Sequence, residues 1–80
     1  MNEVQNSISQ HIGSLMAASF RISNRLNQLH LIREKILARG YQPFDKADIL
    51  EELGRLQHIS NELNRAMLSI YDLVKQDGNK

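Results

Sequence analysis

One stretch, Gly40-Tyr41-Gln42-Pro43-Phe44-Asp45, separates two long runs of apolar residues at helical spacing. Gly40 is suited to the left-handed position that ends a helix, and Pro43 prevents that helix from continuing. Asp45 can cap the next helix, and Asp48 is an alternative cap three residues later. A link this short places consecutive helices antiparallel. The stretch therefore predicts the tip of a helical hairpin.

Apolar residues recur every seven positions on both sides of this tip. Such a repeat keeps one side of each helix toward its partner, which predicts coiled-coil-like packing at a shallow crossing angle. The repeating residues, which we call the central row, are Ile8, Leu15, Ile22, Leu29, Ile36, Ile49, Leu56, Leu63 and Ile70. A companion row four residues further on is predicted to complete the contact. Its apolar members are Ile12, Leu26, Leu53, Met67 and Val74.

These patterns divide the chain into two helices and little else. The predicted segments are a helix over residues 8–39, a turn over 40–45, a helix over 46–76 and a polar tail over 77–80. Residues 1–7 show no strong periodicity and are predicted to be frayed, and Gly13 is a point where the first helix can break. Eighty residues make one domain at most. The predicted fold class is all-α, an antiparallel two-helix hairpin that completes a helical bundle by dimerisation or with a partner.

Each helix also carries apolar residues on the flanks of this seam, more than one partner helix can cover. The chain is short and contains no cysteine, so neither a large core nor a disulfide can stabilise it. Apolar patches of this kind mark association surfaces. We therefore predict a protein partner or self-association. The residues predicted to make that contact are Met16, Ile32, Ile59, Tyr71 and Leu73.

The sequence contains no recognisable catalytic or metal-binding constellation. The three histidines, His11, His30 and His58, have no cysteine or carboxylate cluster that would complete a metal shell. The serines lie in helical segments rather than on rigid turns, and no glycine-rich phosphate loop is present. The chain is therefore predicted to be non-enzymatic, with no metal and no cofactor.

The first helix has a basic bias that admits two interpretations. The residues concerned are Arg21, Arg25, Arg33, Lys35 and Arg39. Arg21, Arg25, Lys35 and Arg39 could contact phosphates in a dimeric four-helix bundle that binds RNA or DNA. The basic residues could instead pair with Glu52, Glu62 or Asp72 across the hairpin or simply face water. The net charge of +1 provides little attraction for nucleic acid and favours the pairing.

The start of the chain bears on localisation. No basic segment precedes an apolar stretch, so no secretory signal peptide is predicted. Residues 4–20 contain no Asp, Glu, Lys or Arg, but they include Gln, Asn, Ser and His and are too polar to span a bilayer. A soluble cytoplasmic protein is expected, with export without a cleaved signal peptide as an alternative.

The segment from Ala38-Arg39-Gly40 to Asp72-Leu73-Val74 resembles the small hairpin proteins of bacterial type III secretion. These are needle subunits and the short co-chaperones that hold needle subunits monomeric, and both are cysteine-poor pairs of amphipathic helices. The resemblance implies a small chaperone or structural component of a secretion apparatus. Needle subunits usually have two prolines near the turn and an apolar C-terminus. The single Pro43 and the polar end at 77–80 therefore fit the co-chaperone better.

A second resemblance carries the nucleic-acid alternative. Ala47-Asp48-Ile49 and Glu62-Leu63-Asn64-Arg65 are similar to segments of a plasmid-encoded RNA-binding hairpin that dimerises into a four-helix bundle. Aligning both segments needs a shift of three residues, which breaks the heptad register. A regulatory inhibitor of another helical protein is a third interpretation, which the sequence does not separate from a chaperone.

Overall fold

The computed structural model of the protein describes residues 2–78 and consists of two α-helices joined by a short turn. Helix α1 spans Asn2–Arg39 and helix α2 spans Pro43–Gly78. The helices pack side by side into a rod of 60 × 14 × 14 Å. No strand occurs between residues 2 and 78. The predicted all-α hairpin is confirmed.

Both helices are longer than the sequence pattern predicts. Helix α1 begins at Asn2 rather than at residue 8, and it passes through Gly13 without a break. Val4 and Ser7 are half-buried, although the segment that contains them has weak periodicity. Gly13 has open space around its Cα and is exposed. The last helix ends at Gly78, so only residues 79–80 of the predicted tail lie outside the described residues.

Gly40 ends α1 as its sequence position predicts. Its φ angle is 88°, in the left-handed region that a side chain disfavours. Its N–H donates to the carbonyl oxygen of Ile36 at 2.7 Å, which is the hydrogen bond of an αL helix ending. The chain therefore turns within three residues, 40–42, before α2 begins.

The start of α2 contains one half of a capping box, with Asp45 inside the helix, rather than a cap by Asp45 or Asp48 ahead of it. Gln42 precedes the helix and Pro43 is its first residue, where its missing N–H costs nothing. Asp45 is therefore the third helical residue, and its carboxylate accepts a 2.7 Å hydrogen bond from the Gln42 N–H. Arg39, the last residue of α1, donates to both oxygens of Asp45 at 2.8 and 2.9 Å. The buried Asp45 thus ties the end of α1 to the start of α2.

This linkage makes the hairpin sensitive to acid. Hydrogen bonds from Arg39, supported by the Gln42 N–H, hold the pKa of Asp45 at about 2, below its usual 3.8. Because the folded-state pKa is the lower one, the stabilisation is complete above pH 4 and is lost as the pH falls toward 2. We expect thermal melts, followed by circular dichroism, to show this loss. Asp45→Asn should melt roughly 4–8 °C lower at pH 7, as for other lost caps.

The control for this prediction is the pH dependence of the variant itself. Asp45→Asn has no carboxylate to protonate at this position, so its melting temperature should change less between pH 4 and pH 2 than that of the wild type. Equal melting temperatures at pH 7, or equal changes between pH 4 and pH 2, would contradict the role given to Asp45.

The central row lies between the helices as predicted, since all nine of its side chains are half-buried. The predicted companion row is wrong. Ile12, Leu26, Leu53, Met67 and Val74 are exposed. The side chains that complete the contact lie three residues after each central residue. They form an inner row of His11, Ala18, Arg25, Ile32, Glu52, Ile59, Ala66 and Leu73.

The physical reason lies in pairs that only the folded hairpin brings together. Residues three and four places after a central residue lie on opposite sides of it, because the helix turns about 100° per residue. On the inner side, Arg25 Nη1 meets Glu52 Oε1 at 2.9 Å. Ala18 and Ala66 are small enough for close approach of the helices. On the other side, Arg33 would meet a companion row of α2 that contains no acidic residue.

Candidate protein-interaction face

The predicted companion side of the hairpin is covered with exposed apolar side chains. Residues one and four places after each central residue share this side of their helix. Met16 is 69% exposed and Tyr71 is 64% exposed. We call the following exposed residues the apolar face: Ile12, Met16, Leu26, Leu37, Leu50, Leu53, Met67, Tyr71 and Val74.

A groove runs along this face between the two helices. Its walls come from both helices, with Met16 and Phe20 on α1 and Met67 on α2. Half-buried Leu15 and Leu63 of the central row lie at its base. The remaining lining residues are Ser19 and Ser23, so the groove contains no charged side chain. Methionine and aromatic side chains of this kind adapt to varied apolar surfaces.

The opposite side of the hairpin is polar and ion-paired. Arg21 donates to both carboxylate oxygens of Glu62 at 2.9 and 3.2 Å. His58 Nε2 lies 3.1 Å from the same carboxylate. The Arg21 hydrogen bonds lower the pKa of Glu62 and keep it ionised. Arg21, His58 and Glu62 on this polar face are therefore paired with one another, whereas the side chains of the apolar face stay exposed in the part of the chain that the structure describes.

The structure divides the five residues predicted to bind a partner. Met16 and Tyr71 lie on the apolar face, as predicted. Ile59 is buried between the helices, and Ile32 and Leu73 are half-buried in the inner row. All three lie three places after a central residue, on the side where the inner row closes the hairpin, so Ile59 is not available on a free flank. Replacing these three would disturb the hairpin itself.

The residues predicted for the nucleic-acid alternative are mostly engaged within the chain. Arg21 pairs with Glu62, Arg25 with Glu52 and Arg39 with Asp45. Lys35, the fourth, is exposed. The expectation from the sequence that basic side chains of α1 form ion pairs across the hairpin is confirmed for Glu52 and Glu62. A guanidinium held by a carboxylate would have to give up that pair before binding a phosphate.

The described residues offer no metal site and no membrane span. Within residues 2–78, no group of three or more His, Asp or Glu side chains is placed to hold a metal ion. His30 lies 3.7 Å from Glu34, one turn further on, as an exposed pair. Neither helix, over the range described, contains a stretch long and apolar enough to cross a membrane.

Sequence reasoning assigned Ile12, Leu26, Leu53, Met67 and Val74 to the seam and so missed most of the apolar face. A signal for their true position was present in the charges. The expected pairing of basic residues of α1 with Glu52 and Glu62 requires the polar flanks to face each other. Because that pairing fixes which side closes, it leaves the companion side exposed.

Comparisons of the chain with models of protein families, with curated proteins and with solved structures give no match. The role of the hairpin is therefore inferred from its own residues and their geometry.

Proposed function

We propose that the protein is a non-enzymatic interaction module whose apolar face binds another helical chain. The observation that carries this proposal is the separation of the two faces. One side of the rod is ion-paired, and the other exposes nine apolar side chains around an uncharged groove. Exposed apolar side chains grouped on one side of a small protein are characteristic of an association site.

The groove supports a helical partner in particular. It runs between two packed helices, as do the grooves that receive the apolar side of an amphipathic helix. Met16, Met67 and Phe20 line it with flexible or aromatic side chains. Apolar contact with such side chains selects for hydrophobic shape and needs few hydrogen bonds.

A small chaperone or structural component of a bacterial secretion apparatus is the specific form of this function that we favour. Such a chaperone would cover the apolar side of a helical subunit until that subunit assembles. The resemblance of residues 38–74 to secretion hairpins supports this form, as does an apolar face free to receive a helix. The nucleic-acid alternative is less favoured, because Arg21, Arg25 and Arg39 are held in ion pairs.

Two matched variants test the module. The face variant, Met16→Glu with Tyr71→Glu, places charge on two strongly exposed positions of the apolar face. The control variant, Ala17→Glu with Leu31→Glu, adds the same charge at exposed positions outside it. Both should keep wild-type helicity by circular dichroism, because neither changes the seam. A fluorescent dye that reports apolar surface should bind the monomeric wild type and the monomeric control, with at least a severalfold loss for the face variant.

Pull-down from a lysate of the organism that encodes the chain extends this test to a natural partner. A helical protein held by the wild type and the control, but lost from the face variant, is the expected result. Equal retention of every captured protein by the face variant, together with unchanged dye binding, would contradict the proposal.

A further inference from the structure

The occupant of the apolar face can be identified from the amount of surface that the hairpin leaves exposed. The chain of 9.2 kDa exposes 6216 Å². A compact monomer of this mass exposes roughly 4,900 Å², so the hairpin exposes about 1,300 Å² more. A standard interface buries about 800 Å² on each partner. The excess is therefore enough for one complete interface.

A second hairpin fits this area better than a single helix. One helix seated in the groove covers the side chains beside it, but the apolar face continues from Ile12 near one end to Leu37 near the tip. A copy of the same 60 Å rod matches the whole length with two helices. The groove contains no charged side chain of either sign, so two copies meet there without charge repulsion.

We propose that the apolar face binds a second copy of the chain, in a two-fold four-helix bundle with both tips at the same end. This inference rests on the proposed function and names a second copy as the helical chain that covers this face, a place that any other helical partner would have to take from it. In this arrangement α1 of one copy lies against α2 of the other, antiparallel, so that every helix has two antiparallel neighbours.

The heights of the apolar residues along the rod support this arrangement. In an antiparallel hairpin, two residues at the same height along the rod have numbers with a constant sum. The ion pair Arg21–Glu62 gives this sum as 83. Ile12 and Tyr71 are level by the same measure, as are Met16 and Met67. Rotation about a two-fold axis parallel to the rod does not change the height of a residue along the rod. Each of these residues on one copy therefore meets its apolar counterpart on the other.

The same relation holds nearer the tip. Leu26 and Leu53 are within about one helical turn of being level, and so are Leu37 and Leu50. Arg33 comes to lie at the height of Leu50 and Leu53 of the second copy, not against itself. Its aliphatic stem can pack there while its charge reaches water.

The opposite arrangement, with tips at opposite ends, matches less well. It would place α1 of one copy antiparallel to α1 of the other. Residues equally far from the middle of α1 would then meet, which brings Leu37 to the start of the helix, where Val4 is half-buried and Gln5 is exposed. Ile12 would come level with Leu29, which is half-buried in the central row, so that its exposed neighbour there is His30. Apolar side chains would lose apolar contacts at both ends of the helix.

Light scattering over a concentration series tests the pairing. The wild type and the control variant should reach twice 9.2 kDa, and the face variant should stay at 9.2 kDa at concentrations at least tenfold higher. The milder Met16→Gln with Tyr71→Gln should weaken pairing severalfold even if the charged variant loses helicity. A monomeric wild type at every concentration, or a stable species larger than a dimer, would overturn the inference.

Failure of this inference and failure of the proposed function have different signatures. A monomeric wild type that binds the apolar dye, with binding lost in the face variant, overturns the second copy but leaves the face as a docking surface for another protein. A dimer that the face variant does not weaken overturns the second copy on this face, and it overturns both proposals when dye binding by the face variant is also unchanged.

The orientation is tested by one pair of spin labels. The natural chain has no cysteine, so Ala47→Cys provides a single attachment point at the exposed start of α2. Tips at the same end predict a distance between labels of roughly 20–35 Å, from the helix spacing of a four-helix bundle. A distance that approaches the 60 Å length of the rod would place the tips at opposite ends and contradict the proposed arrangement.

Discussion

Replacing Ile59 by Ala is expected to lower the free energy of unfolding of the hairpin by about 2–5 kcal/mol. Ile59 is 6% exposed and is the largest of the buried apolar side chains, the others being Ala18 and Ala66. A core this small leaves little room for the surroundings to compensate. Because chains below about 70–80 residues rarely gain more than 3–5 kcal/mol from their core, this single change can unfold much of the population.

The matched control is Leu53→Ala, which removes a residue that the heptad pattern alone would place in the seam. Leu53 is 45% exposed in the hairpin, so its loss should cost less than about 1 kcal/mol. Both changes are best compared by urea unfolding in the face variant, where association through the apolar face does not contribute. A larger effect at Leu53 than at Ile59 would contradict the inner row.

Replacing Glu52 by Leu is the second change with a large expected effect. The Glu52 side chain is nearly buried and accepts hydrogen bonds from Arg25 at 2.9 and 3.3 Å. Its loss leaves the Arg25 guanidinium half-buried without this carboxylate. Removing one partner of a fully buried pair costs about 3–5 kcal/mol. Because Arg25 retains partial access to water, we expect roughly 1–3 kcal/mol, measured by urea unfolding.

The double variant Arg25→Leu with Glu52→Leu separates the pair from its apolar surroundings. Replacing both charges with apolar side chains of similar length removes the desolvation cost together with the attraction, and is often neutral or stabilising. We expect its free energy of unfolding to return to the wild-type value or above it. A double variant clearly less stable than the wild type would show that the ion pair is a net source of stability and would contradict this expectation.

The tip shows how far local sequence determines the fold. Gly40 and Pro43 act through their own backbone constraints, a positive φ and a missing N–H, so they identify the turn without knowledge of the rest of the chain. Asp45 is also polar for a local reason, yet its place in the helix differs from the predicted one by three positions, because it is the third helical residue and not the cap. Capping depends on where Pro43 allows the helix to begin, and Gln42 became the cap residue because Pro43 took the first helical position.

The choice between the inner and companion rows could not be made from periodicity. Both rows neighbour the central row, and in α2 each contains three apolar residues. What separates them is a contact between residues far apart in sequence, Arg25 with Glu52, supported by the small residues Ala18 and Ala66. The hydrophobic pattern of one helix does not show which charged side chains of the other helix will lie opposite.

The candidate site follows the same rule. Met16 and Tyr71 were identified because they lie beyond any two-helix seam, whichever row closes it. The pattern also assigns Ile59 and Leu73 to this surface, because it places the companion row in the seam and leaves outside it the positions three residues after Leu56 and Ile70. In the hairpin, those positions are on the side that closes. A surface of a hairpin is therefore predictable only once its seam has been fixed by pairs across the two helices.

The most direct test of the account compares the reactivity of two neighbouring thiols, Ala66→Cys and Met67→Cys, introduced separately into a chain without natural cysteine. Residue 66 belongs to the inner row and residue 67 to the apolar face. Because residue 66 is buried between the helices, its thiol should react slowly with a labelling reagent at every protein concentration. The thiol at 67 should react rapidly in dilute protein and become protected as the concentration rises. A thiol at 67 protected even at the lowest concentration, beside a reactive thiol at 66, would show that the companion row closes the hairpin and would contradict the proposed face.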